Sequence, residues 1–141
     1  MLKTISEALE NFCDHQIRLP YKSVDGILKN EALITYIDIE TDTGNKYRVY
    51  LASDKNFMQR VSKIFLEEED SDLETLTDMS LETTNLIVGS AKVIAENSKK
   101  NTYTISTPHF VSVGLFDLDY DQAELFKIEN DEISIAIKEL T

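Results

Sequence analysis

Asp78, Glu82 and Asn85 follow one another at spacings of four and three residues inside the stretch DMSLETTNLIVG, positions 78–89. In a helix those spacings bring three side chains onto one stripe. A carboxylate so placed can pair with a cation, and a carboxamide both accepts and donates hydrogen bonds. The stripe is therefore either a solvated face or a site. Little else in the chain competes with it. The acidic run DLDYD at 117–121 alternates like the start of a calcium loop, but Gln122 stands where that loop needs glycine and Ile128 where it needs a bidentate glutamate, so a solvated loop is expected. His15 and His109 lack paired ligand spacing and read as surface or hydrogen-bonded histidines, with His109 beside Pro108 open to lying near a site. Cys13, on an apolar face, reads as a core residue. Nucleophile motifs, phosphate-binding glycine loops and zinc spacings are absent from the sequence.

The stripe must be carried by a long helix. Ser71 followed by Glu74 reads as a capping box that opens a helix from about Leu73 to about Asn97. Asp78, Glu82, Asn85, Gly89, Lys92 and Glu96 occupy one narrow sector of it, while Leu81, Leu86, Ile87, Val88, Ala91, Val93, Ile94 and Ala95 fill the remaining directions. Such a helix is expected to be packed on several sides, with only the stripe reaching solvent. Gly89 needs a reason, because glycine costs a helix interior about 1 kcal/mol relative to alanine. Close approach of another backbone or of a partner would supply one.

Around that helix, residues 2–17 place Leu2, Ile5, Leu9, Phe12 and Cys13 at helical spacing. Ser53 or Asp54 caps a second helix carrying Phe57, Val61, Ile64 and Phe65, followed by the acidic, solvated run LEEEDSD. LITYIDIE and KYRVYLA, joined by TDTGNK, form a hairpin; YTIST, FVSVGLF, AELFKIE and EISIAIKEL return to strand patterning, with ENDE as a further turn. Strands on both sides of a helical centre predict an α+β fold, a mostly antiparallel sheet packed against helices. At 141 residues the chain is long enough for one domain, 1–141, and short for two.

Composition narrows the partners. A net charge of −12 argues against nucleic acid and anionic membrane, whose phosphates are bound by clustered Lys and Arg. A single cysteine, a start without the features of a secretory signal and the lack of a long apolar run make the cytoplasm the expected location.

The stretch DMSLETTN, followed by twenty-two residues and Pro108, resembles the signature of the CheC/CheX/FliY phosphatases of bacterial chemotaxis: Asp or Ser, three residues, Glu, two residues, Asn, twenty-two residues, Pro. Gly89, four residues after Asn85, resembles the usual continuation, and the likeness runs loosely from about Leu73 to Gly114. CheC-type members carry two Glu-x-x-Asn sites; here only Glu82 has an asparagine three residues on, so the chain resembles the single-site CheX type. Family members often have glycine where this chain has Leu81 and Thr84, which bears on the fit of the partner surface.

The resemblance implies a CheC-like fold and hydrolysis of the phospho-aspartate on a CheY-like response regulator. Glu82 and Asn85 would be the catalytic pair: Asn85 orients the attacking water, and Glu82 pairs with a lysine of the regulator. Asp78, Glu82 and Gly89 would meet the partner, and Pro108 would be structural. The magnesium ion would be carried by the regulator, leaving no intrinsic metal or cofactor. A homodimer joined through sheet edges is implied too, with the isoleucine-rich last strand as an expected edge. The alternative is an interaction module of the chemotaxis or flagellar switch system that binds a phosphorylated regulator without turnover.

Overall fold

The computed structural model describes residues 1–98 and 102–140. Its first helix, α1 (Leu2–Phe12), buries Ile5, Ala8, Leu9 and Phe12 and then widens into a π-helical turn over Cys13–Ile17. The single helix expected over 2–17 thus changes type at Phe12, and Arg18 ends it in the left-handed region at φ 62°, donating its N–H to the Cys13 carbonyl.

Among the described residues seven strands form one antiparallel sheet: β1 (Lys22–Asp25), β2 (Ala32–Thr41), β3 (Lys46–Ser53), β4 (Tyr103–Ile105), β5 (His109–Gly114), β6 (Gln122–Ile128) and β7 (Asp131–Glu139). Their order is β1-β6-β7-β3-β2, and β4 and β5 both pair with the free side of β2. The β2–β3 hairpin closes through Thr41 and Asn45, with Gly44 at φ 90°, a conformation that favours glycine. The β6–β7 hairpin turns on Glu129 and Asn130 between the paired Ile128 and Asp131. β1, four exposed residues at the sheet edge, has no counterpart in the sequence reading.

Side-chain alternation splits the sheet into two faces. One carries Leu33, Ile37, Val49, Leu51, Phe126, Ile133, Ile135 and Ile137 against α1, α2 (Lys55–Leu66) and α3 (Leu73–Asn97). The other carries Ile34, Tyr50, Ala52, Ala123, Leu125 and Ala136, and it is roofed by Ile27 and Leu28 of one loop and Phe116 and Leu118 of another. The Leu28 N–H donates to Ser134 Oγ at 2.8 Å, pinning the first loop down. The acidic loop at 117–121 is therefore only half solvent: Asp117 and Asp119 are exposed, but Leu118 packs inward.

Two terminal features correct the sequence reading. Ser71 does not cap α3. Asp72 does, its Oδ1 accepting from the Thr75 N–H at 2.8 Å, while the Ser71 hydroxyl lies 2.6 Å from that of Ser62 on α2 and donates to Glu68 at 3.0 Å. Either residue type can cap, and the tie between the loop and α2 takes Ser71 away from the helix end. For α2 the cap is Asp54, which accepts from the Phe57 N–H at 2.7 Å and from the Glu132 N–H at 2.8 Å. The isoleucine-rich β7 is flanked by β3 and β6, so it is an interior strand with no edge to offer. Its alternating isoleucines face the helices, and the intervening Ser134 and Ala136 are buried as well.

Candidate functional site

Helix α3 lies across the helix-covered face and buries Leu76, Met79, Ser80, Thr83, Thr84, Ile87, Val88, Ala91 and Ala95. Asp78, Glu82 and Asn85 are exposed, while Gly89 and Lys92 are half-buried. Neither Glu82 nor Asn85 has a side-chain hydrogen-bond or ion-pair partner among the described residues. A free carboxylate and a free carboxamide thus stand one turn apart on a helix whose opposite face is locked in the core.

The open face is wider than the polar stripe. Leu86 is 40% exposed and Val93 54%, so the helix is packed along one broad face and is not enclosed on every other side as expected. Both residues flank the stripe on the side towards α1. There a cleft of about 250 Å³ runs between α1, the end of α2 and α3, lined by Phe12, Phe65, Leu86 and Ile87. A larger cleft, about 1060 Å³, lies elsewhere, between α1 and the β1–β6 edge, where it gathers Glu7, Glu10, Asp25 and Glu124. A surface that meets another protein need not be a cavity, so the helix face remains the better candidate. Among the described residues no group of three His, Cys, Asp or Glu side chains is placed to hold a metal ion.

Gly89 has no tertiary neighbour to explain it: a Cβ built there would meet nothing within 4 Å. The internal close approach that the sequence allowed is absent among the described residues, and the space beside Gly89 is open. Leu81 is half-buried, and Thr84, 1% exposed, points at the sheet. The Thr84 hydroxyl lies 2.6 Å from that of Thr35 on β2 and donates to the Ser80 carbonyl at 2.7 Å. Thr84 therefore does not belong to any outward-facing surface.

Of the other singled-out residues, His15 lines the cleft beside Leu86, and His109 lies on the opposite face of the sheet. Pro108 precedes β5 directly, and His109 stacks on Tyr36 with ring centroids 5.0 Å apart. Tyr36 neighbours Thr35 on β2 and so points to the loop-covered face, which removes His109 from the vicinity of Asn85. His15 is exposed, and Cys13 is buried, its thiol pushed up to about 12 first by burial and then by Asp14 and Glu10.

Residues 36–131, well over half of the chain and including the whole stripe, match the family model described as chemotaxis phosphatase CheX. The chain belongs to the CheX family. A chemotactic CheC-like protein from Shewanella oneidensis superposes with a TM-score of 0.81 at 16% identity, covering 96% of this chain and 95% of its own. CheX from Vibrio vulnificus gives 0.76 at 20% identity over 96% and 97%. A CheX in complex with CheY, BeF3 and Mg2+, from Borrelia burgdorferi, gives 0.68 at 16% identity over 97% of each chain. At such identities the likeness is one of fold. The chain matches no curated protein.

Proposed function

We propose that the chain is a phosphatase of a CheY-like response regulator, acting in the cytoplasm on its phospho-aspartate. The observation that carries this reading is the exposed, unpartnered pair Glu82 and Asn85, one turn apart inside the region matched by the CheX family. In phosphoryl transfer the protein supplies position and electrostatics, because attacking and leaving oxygens must lie nearly in line at phosphorus. The Asn85 carboxamide accepts from a water through its carbonyl and donates to an oxygen through its NH2, so it can aim that water without a change of protonation. Water oxygen bonds to phosphorus, the bond from phosphorus to the aspartyl oxygen breaks, and inorganic phosphate, a free carboxylate and a proton result.

Next to a phosphoryl group an unpaired Glu82 would repel, so its physical role is to meet a cation, the active-site lysine of the regulator. Asp78 borders the contact, and Gly89 leaves room for the partner's backbone. Magnesium belongs to the regulator, and this chain contributes no metal ligand. The Borrelia neighbour, a CheX in complex with CheY, BeF3 and Mg2+, supports a CheY-like partner. Loss of radiolabelled phosphate from a purified response regulator, followed with and without this protein, tests the reading. Accelerated loss is expected; binding of the beryllofluoride-loaded regulator without acceleration would return the protein to the class of interaction modules.

A further inference from the structure

Asn85 has no side-chain partner among the described residues, so the point from which its amide reaches out is set by how α3 is seated. Apolar packing is non-directional and leaves a helix some freedom to roll or slide, whereas a hydrogen bond fixes both. Two buried hydroxyl contacts bracket Asn85 along the helix. One residue before it, Thr84 Oγ1 lies 2.6 Å from Thr35 Oγ1 and donates to the Ser80 carbonyl. A hydroxyl has one proton to give: with Thr84 donating to Ser80, the Thr35 hydroxyl is the donor at the 2.6 Å contact in preference to the Leu51 carbonyl, 3.5 Å away. Three residues after Asn85, the Val88 carbonyl accepts from the Tyr103 hydroxyl at 3.2 Å. Thr35 belongs to β2 and Tyr103 to β4, and the two strands pair directly, with Thr41 opposite Tyr103. Both contacts therefore tie α3 to one rigid ladder.

We propose that Thr35, Thr84 and Tyr103 are positioning residues for Asn85, setting the roll and axial register of α3 on the sheet. This rests on the phosphatase reading above. The leverage is geometric. Thr84 points at the sheet and Asn85 lies about 100° round the helix from it, so a roll of the helix moves the amide sideways, across the surface. With the amide about 6 Å from the helix axis, a roll of about 10° displaces it about 1 Å, an error that costs a positioned reaction up to about 100-fold. Substitution at the hydroxyls leaves every exposed contact with a partner unchanged.

The test separates seating from folding and from binding. Thr35→Val together with Thr84→Val exchanges a buried hydroxyl pair for methyl groups of the same shape, so melting should stay within roughly 5 °C of wild type. Affinity for a beryllofluoride-loaded response regulator should stay within twofold, while single-turnover dephosphorylation should slow about tenfold. Thr84→Ser, which keeps the hydroxyl, should restore most of the rate, and Thr84→Val should not. Tyr103→Phe removes one oxygen and supplies an independent case if the double variant does not fold. A folded double variant or Tyr103→Phe that turns over within twofold of wild type overturns the proposal, as does a Thr84→Ser no faster than Thr84→Val. If wild type fails to accelerate dephosphorylation, the phosphatase reading itself falls and takes this with it. Active wild type with indifferent variants sinks the positioning role alone.

Discussion

Asn85 and Glu82 stand side by side yet should fail in different ways. On the proposed mechanism Asn85→Ala removes the group that aims the water and leaves the carboxylate, so turnover should fall by about 100-fold or more while binding of a beryllofluoride-loaded regulator survives. Glu82→Gln keeps the shape and removes the charge. It would leave the partner's lysine unpaired in a partly desolvated interface, where such a loss costs about 2 to 5 kcal/mol, and both titrated affinity and turnover should drop. Both side chains face solvent. Their replacement should therefore alter thermal stability by no more than about 0.5 kcal/mol, and a mutant that is inactive only because it melts would restore the solvated-face reading. Cys13 supports a prediction of another kind. Burial holds its thiol neutral up to about 12, above the model-peptide value of roughly 8.5, so its contribution is intact below that lower value and is lost as pH rises towards 12. Tyr103, raised first by burial and then by Glu96, adds in the same sense. Urea midpoints should fall progressively above about pH 9, and Cys13→Ala should flatten that decline.

Among the elements, the junction of α2 with the β6–β7 hairpin is held by the side chains of Asp54 and Arg60. Asp54 caps α2 through Phe57 and accepts from the Glu132 N–H as well, and nearby Arg60 binds Asp131 at 2.6 Å. Asp54→Ala takes away the cap and leaves the Glu132 amide without its partner, so unfolding in urea should report a loss of about 2 kcal/mol. What could be read from the sequence at this scale was whatever has a local cause. The β2–β3 hairpin follows from alternation around a turn at Gly44, and the stripe of α3 from spacing within one helix. β1 escaped because Lys22–Asp25 are all exposed and held by backbone pairing with β6, leaving no apolar period to detect. The roof of Ile27, Leu28, Phe116 and Leu118 escaped because it consists of apolar residues in two loops that meet only in the folded state. Thr84 looked like a change to an outward surface; only its contact with Thr35, forty-nine positions away, shows that it serves the interior.

For the whole molecule, the sheet's layout restricts how two copies could join. β7 lies between β3 and β6, so a dimer formed by sheet edges must use β1 or the side of β2 that carries β4 and β5. Light scattering at micromolar concentration should give about twice the 16.1 kDa chain mass, and a monomer there would remove the dimer from the account. The proposed chemistry sits far from every place where such a fold loosens. Asn85 is twelve residues from each end of α3, about 18 Å along the axis, beyond the reach of end fraying. Its neighbouring amides should exchange with deuterium only when the whole domain opens. A site made this way has no latch to release and no slow loop to wait for. On the proposed reading, control over it comes from the other side of the encounter, through how much phosphorylated regulator is present and what else competes to sit on that helix.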